Sequence, residues 1–453
     1  MRARRAPLVI VVGGGPAGLT AAGRAAECGA SVVLLERNPR PGVKLRISGK
    51  GRGNITNTAD IDEFVEAFSP NGRFLYGVFS RFFRDDLLDL LGRLGVETKV
   101  ERGGRIFPAS DRAGDVADAL ERWVASNGVR IRTGTRAKSV VVEDGRVTGV
   151  NIYGGQMGCD ALVIATGGAS YPRTGSTGDG YAMARELGHT IVSPRPALSA
   201  LVCREEWIKD LQGLSLRNVE ARLCFREAAP NEGLIASASL RGEEPGPEQT
   251  EQKPARARVI AREFGEMLIT HFGVSGPIIL TLSRGVGELI ERGVVTISID
   301  LKPGLSAEQL HARLIRDFTQ TSHVKNYLKS LLPRLLIDVF VELAGLDPNK
   351  PVNTVTAQER GRIVELLKGL EVTVAGTAPL NDAIVTAGGV SIKEIDPRTM
   401  MSKLVPGLFF AGEVIDIDAR TGGFNLQAAF STGWVAGEAA AKYADRICRA
   451  GGE

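Results

Sequence analysis

Leu8-Val-Ile-Val-Val12 runs into Gly13-Gly-Gly-Pro-Ala-Gly18, and Ser31-Val-Val-Leu-Leu35 ends at Glu36. An all-apolar run, a glycine turn, the alanine-rich stretch Pro16–Cys28 and a second apolar run spell strand, helix, strand. Both strands read as central and parallel. Glycines at 13, 15 and 18 permit the tight turn and a close approach of a pyrophosphate to the helix N-terminus. An acid closing the second strand reaches a ribose hydroxyl. Gly13, Gly15, Pro16, Ala17, Gly18, Glu36 and Arg37 are therefore the first part of a dinucleotide site. The motif alone leaves FAD and NAD open.

At 453 residues the chain implies two or three lobes. A net charge of +4 is too weak to argue for nucleic acid, although residues 1–56 hold ten Lys/Arg against two Glu. The cysteines (Cys28, Cys159, Cys203, Cys224, Cys448) are scattered with no C-x-x-C pair. That spacing supports neither a disulfide framework nor a zinc site and fits a reducing, cytoplasmic setting. Leu8–Val12 is too short for a signal peptide, and no run approaches the ~18 apolar residues of a membrane span.

The organisation is a nucleotide-binding domain split by an insertion: residues 1–193 and 373–453 form its two parts. Residues 194–303 show short β-like runs, interrupted by a polar loop at Glu227–Pro254. Residues 304–372 read as helical, with Leu328–Leu346 the strongest apolar segment. Phe79, Phe82, Phe83, Leu87, Leu90 and Leu91 recur at helical spacing and are read as core.

Gly42-Val-Lys-Leu-Arg-Ile-Ser-Gly-Lys-Gly-Arg-Gly-Asn-Ile-Thr-Asn57 carries four glycines, four cations and no acid. Glycine admits close backbone–ligand approach and the cations set a positive potential, so the loop is placed over the working end of the nucleotide. Leu162-Val-Ile-Ala-Thr-Gly-Gly168 brings Thr166, Gly167 and Gly168 back to the same strand ends. Gly407-Leu-Phe-Phe-Ala-Gly-Glu413 delivers Gly412 and Glu413 there, the acid suited to a ribityl chain. Gly422-Gly-Phe-Asn-Leu-Gln427 opens the last helix. Gly423, Asn425 and Leu426 would place backbone N–H groups and a helix dipole at a flavin pyrimidine ring. The three segments together favour FAD over NAD.

These segments, with Gly104-Arg-Ile-Phe-Pro108, the Ser-Tyr-Pro-x-Thr-Gly-Ser-Thr-Gly-Asp-Gly run within Ala165–Gly180, Gly265–Pro277, Thr386–Val390 and Thr399–Lys403, carry a resemblance. The chain resembles the HI0933-like, or aminoacetone-oxidase-like (BaiN-type), bacterial FAD-binding flavoproteins over nearly its whole length. The resemblance implies an α/β fold: a glutathione-reductase-type Rossmann FAD domain, split in sequence, with an inserted β-rich lobe and a helical lobe. It implies an FAD-dependent oxidoreductase with NADPH or NADH as a transient electron donor. It offers three substrate classes: a uridine in ribosomal RNA, a small amine, or a steroid-like enone. A flavin-bound RNA-binding protein without turnover is the alternative of another class.

Lys44, Ser48 and Asn54 are candidates for the flavin N5/O4 region or the substrate, and His271 for a proton carrier in the inserted lobe. Lys50 and Arg52 are candidates for phosphate contacts, Asp179 and Arg420 for polar contacts at the site. His189, His311 and His323 are read as structural. The family usually carries cysteine where this chain has Gly53; that cysteine either works chemically in relatives or only packs.

Overall fold

The computed structural model describes residues 5–228, 257–319 and 322–450. They form two compact units, one of the described residues up to 197 together with those from 380 onward, and one of the described residues between 198 and 379.

The first unit is built on a five-stranded, all-parallel sheet. Its order is Leu408–Phe410, Ala161–Ile164, Leu8–Val12, Ser31–Leu35, Arg130–Arg132. Val9 pairs with Ala161 on one side and Val32 on the other, and the inner strands are buried except at their first residues Leu8 and Ser31, as apolar runs without alternation require. Helix Pro16–Glu27 lies backbone to backbone on the C-terminal helix Phe424–Ala450. A Cβ at Gly433 would sit 2.3 Å from the Ala17 carbonyl oxygen, and one at Gly437 2.2 Å from that of Ala21. Two glycines four apart make a small-residue stripe that no larger side chain can replace. Phe79, Phe82, Leu87, Leu90 and Leu91 are buried, and Phe64 meets Phe79, Phe83 and Phe424 edge to face.

His189 is buried against Phe410, ring centroids 5.0 Å apart. The Ser402 hydroxyl oxygen accepts from the N–H groups of Leu404 (3.0 Å) and Val405 (2.9 Å), so its proton goes to His189 Nε2 at 2.8 Å. Nδ1–H then donates to the Ala184 carbonyl at 3.2 Å, which defines a neutral imidazole. Burial lowers its pKa against the opposing pull of that carbonyl. The unfolded chain therefore takes up the proton first, and stability is full above about pH 6.5 and falls as pH drops toward the folded value. Urea midpoints across this window should show a slope of at most about 1.4 kcal/mol per pH unit that His189→Asn removes.

The second unit is a closed six-stranded barrel in the order Leu201–Cys203, Gly273–Ser275, Arg258–Thr270, Ser215–Glu227, Gly293–Asp300, Leu370–Thr377. Helices Ala307–Asp317, Val324–Leu328, Ile337–Ala344 and Ala357–Lys368 share its core, where Ile297, Leu310, Phe340 and Ile363 are buried together. The segments 194–303 and 304–372 thus have one core in common. Leu328–Leu346 is not a single helix. Pro333 has no N–H to continue the ladder, and a 3-10 turn at Arg334–Leu336 separates the two short helices. The polar loop read at Glu227–Pro254 lies outside the described residues from 229 onward. Asp300 is buried and held by Arg222 (3.3 Å), Lys368 (2.5 Å) and the Lys302 N–H (2.9 Å).

Among the described residues no helix is long and apolar enough to cross a membrane.

Candidate functional site

Each fingerprint glycine has a separate physical duty. Gly13, at φ +102, lies against the strand Ala161–Ile164: a Cβ would come 2.4 Å from the Ala165 carbonyl oxygen. At Gly18 it would come 1.8 Å from the Gly13 carbonyl oxygen, so helix and turn can meet only through glycine. Gly15 is the N-cap of helix Pro16–Glu27, and nothing lies within 4 Å of its would-be Cβ. Two glycines seal protein against protein, and the third opens at a helix N-terminus, where a pyrophosphate is favoured.

Glu36 is buried, and its oxygens accept from the N–H groups of Gly14 and Asn38, each at 2.7 Å. Burial pushes its carboxyl above the usual value, opposed by those two N–H groups. It fixes the turn, and each oxygen keeps a second lone pair for a ribose hydroxyl. Asp179 opens helix Asp179–Glu186 and is clasped by Arg136 at 2.7 and 2.8 Å, Thr177 at 2.8 Å and Arg37 at 3.5 Å. Burial alone would raise its pKa; Arg136 and Thr177 hold it lowered. Of the two residues expected beside the cofactor, Asp179 pairs chiefly with Arg136, and Arg37 reaches Asp179 at 3.5 Å and donates to the Thr177 hydroxyl at 2.5 Å.

At the C-terminal edge of the sheet, Lys44 and Glu413 form an ion pair with Nζ–Oε2 of 2.8 Å. The same Nζ donates to the Ser170 hydroxyl at 2.8 Å, and Glu413 Oε1 accepts from the Thr386 N–H at 2.8 Å and from Ser170 at 3.1 Å. Thr386 is fully buried, and its hydroxyl oxygen accepts from the N–H groups of Ala169 (2.9 Å) and Ser170 (3.1 Å). The loop after Gly168 is thereby bonded to a cation and an anion at once. A Cβ at Gly168 would strike the Thr386 hydroxyl at 2.4 Å, which is why glycine stands there. Thr166 lies just inside, with Gly180 pressed on its hydroxyl, and Gly412 presses on the Ala17 methyl. Lys44 and Glu413 are each about a fifth to a quarter exposed, so the pair is part-buried yet open to solvent.

The basic loop is left-handed over most of its tip: Gly49, Lys50, Gly51 and Gly53 all have positive φ. Lys50 is exposed at that tip, and the Ser48 hydroxyl donates back to the Leu45 carbonyl at 2.7 Å, closing helix Val43–Ile47. Arg52, expected on a phosphate, is engaged otherwise. Its guanidinium binds Glu101 and Asp111 and stacks 4.4 Å over the Phe107 ring. It braces the loop on the strands Thr98–Glu101 and Arg105–Pro108. Gly53 has φ +79, and a Cβ would come 3.0 Å from Ala113 Cα. A side chain here would be strained and would pack on helix Ala113–Ser126.

The loop then meets the last helix. A Cβ at Gly423 would lie 2.3 Å from the Thr56 carbonyl oxygen, and Asn57 donates to the Gly422 carbonyl at 3.0 Å. The Asn425 side chain is bonded both ways to Ala419, at 2.9 Å each, so it holds the preceding loop; Leu426 follows on the first turn. Arg420 lies 5.1 Å over the Phe424 ring. Asn54 Oδ1, Thr56 Oγ1 and Gln427 Oε1 are buried with no hydrogen-bond partner. Unpartnered polar atoms at the junction of a glycine loop and a helix N-terminus fit the polar edge of a flavin ring, which offers donors and acceptors there. Together with the opening at Gly15, this chain's residues fit FAD.

His271 belongs to the second unit: it sits exposed at the turn between Arg258–Thr270 and Gly273–Ser275, its ring 4.9 Å from Phe272. Sequence reasoning missed Ser170 and Thr386. Both stand in family-like segments, but hydroxyls in such runs carry no spacing signal of their own. Burial pushes the Cys159 and Cys203 thiols up to about 12, so neither supplies a thiolate.

A parallel sheet with this glycine turn, acid and closing helix defines an FAD-binding Rossmann protein, and its relatives make it an FAD-dependent oxidoreductase. The model of the HI0933-like protein Rossmann domain matches residues 7–439, and the chain belongs to that family. It is 30% identical to the 3-dehydro-bile acid delta(4,6)-reductase of Clostridium scindens, over 95% of this chain and 98% of that one. It is 29% identical to the ribosomal RNA dihydrouridine synthase of Escherichia coli, over 94% and 96% respectively. In fold it is similar to a flavocytochrome c3 fumarate reductase in an open conformation, with TM-score 0.50 at 18% identity, over 97% of this chain and 79% of that one.

Proposed function

We propose that the protein reduces a carbon–carbon double bond conjugated to a carbonyl, with uridine in ribosomal RNA as the substrate and NADPH or NADH as the electron source. The names of the two relatives share this chemistry: both a pyrimidine and a bile-acid dienone carry a C=C polarised by a neighbouring carbonyl. The balance is uridine, NAD(P)H and a proton giving dihydrouridine and NAD(P)+. A hydride adds to C6, the carbon β to the C4 carbonyl, and a proton adds to C5. Bound FAD supplies hydride chemistry.

The observation that carries the reading is the Lys44–Glu413–Ser170 cluster. Hydride addition drives negative charge onto the C4 carbonyl oxygen, and a fixed ammonium beside it lowers that barrier without reorganising. Glu413 and Ser170 hold Lys44 in place. The exposed Lys50 suits a substrate that brings phosphates with it. A second reading, reduction of a steroid-like enone, draws on the bile-acid reductase relative and uses the same cluster. All five cysteines are free, which supports the cytoplasm as the setting.

Mass spectrometry of ribosomal RNA from cells with and without the gene tests the substrate. A dihydrouridine lost with the gene and restored by its return is the expected result. Unchanged dihydrouridine content overturns the RNA reading. NADPH oxidation on adding a steroid enone to the purified protein would then favour the second.

A further inference from the structure

Tyr171 has backbone angles φ +50, ψ +61, in the left-handed region where a bulky L residue is strained. The residue is 37% exposed, so burial does not offset that strain. Glycine or asparagine would hold this turn at lower cost. Fold stability thus gives no reason for a tyrosine here.

The backbone of the residue is pinned. Its N–H donates to the Asn381 carbonyl at 3.2 Å, and its carbonyl accepts from the Thr174 N–H at 2.8 Å and hydroxyl at 2.7 Å. The preceding residue is Ser170, fully buried and bonded to both Lys44 and Glu413. An exposed aromatic ring therefore stands one residue from the charged cluster, on the loop that leaves the C-terminal end of strand Ala161–Ile164. Open parallel sheets bind their ligands at such strand ends.

We infer that Tyr171 is a substrate-binding residue whose ring stacks on the uracil base; this rests on the uridine reading above. Unpaired RNA bases are held by stacking on aromatic rings, and losing one such ring weakens binding by about 5- to 150-fold. The ring would hold the pyrimidine flat, and the cluster beside it would meet the carbonyl.

The test uses the oxidised FAD-loaded protein and a labelled uridine-rich single-stranded oligoribonucleotide, with an abasic oligomer of equal length as the reference. The wild type is expected to bind the uridine oligomer more tightly than the abasic one. Tyr171→Ala is expected to lose that preference, with Kd for the uridine oligomer rising about 5- to 150-fold. Tyr171→Phe should keep it. Tyr171→Gly should show the same loss with an unchanged flavin spectrum and a Tm equal to or above the wild type. A lower Tm in Tyr171→Gly with undiminished RNA affinity would make the residue structural and overturn the inference. A wild type without base preference would overturn it together with the RNA reading. A wild type that binds and reduces uridine, matched by Tyr171→Ala, would overturn the inference alone.

Discussion

Gly15→Val is expected to give a folded protein that no longer holds FAD, whereas Gly18→Val is expected not to fold. The two positions are three residues apart in one motif, yet their surroundings differ completely. A Cβ at Gly15 meets nothing within 4 Å, while one at Gly18 would lie 1.8 Å from the Gly13 carbonyl oxygen, and main chain cannot yield by that distance. Overpacking of a rigid junction costs about 1–3 kcal/mol or more, and here the strand–helix contact is itself the core of the unit. At Gly15 the protein loses only an N-cap glycine, a few tenths of a kcal/mol up to about 1. The side chain instead fills the space through which a pyrophosphate would reach the helix N-terminus. Far-UV circular dichroism and the visible spectrum of the purified variants check both. A yellow Gly15→Val protein with wild-type FAD content would mean that the cofactor does not lie on this turn.

Lys44→Met is expected to retain FAD and lose about 10²–10³ of kcat with the proposed RNA substrate, the usual cost of removing one preorganised charge from a developing oxyanion. Methionine keeps most of the packing volume of the stem and removes the ammonium. Glu413 keeps its bond from the Thr386 N–H and its partner Ser170, so the loop after Gly168 should stay in place. Anaerobic reduction of the flavin by NADPH should proceed at close to the wild-type rate, which assigns the loss to the acceptor half of the cycle. Because Lys44 and Glu413 touch, Lys44→Met with Glu413→Gln should cost less than the two single losses combined. A colourless Lys44→Met protein would place the residue in cofactor binding instead.

The nucleotide turn was legible because its constraints are local. Strand, glycines, helix and acid fall within thirty residues, and steric duty explains each glycine. The site above it was less legible, because its bonds join distant parts of the chain. Lys44 meets Ser170 across 126 residues and Glu413 across 369. Arg52 meets Glu101 and Asp111 across 49 and 59, so a loop that reads as four free cations holds at least one that is spent internally. Arg46 likewise bonds Asp118 on helix Ala113–Ser126. Net positive charge in a segment says little about positive potential until the partners are known. In the second unit, Pro333 divides the apolar segment Leu328–Leu346 between two short helices. The strained Tyr171 left no signal in the sequence at all, since its backbone angle is set by the bond it donates to Asn381 and those it accepts from Thr174.

The most direct measurement mixes NADPH-reduced holoenzyme, without oxygen, with ribosomal RNA from cells lacking the gene, and follows the visible flavin absorbance and the RNA together. Recovery of the oxidised flavin band, with one dihydrouridine formed per flavin reoxidised, is the result expected of a uridine reductase. Flavin that stays reduced in the presence of that RNA, or reoxidises without forming dihydrouridine, would contradict it.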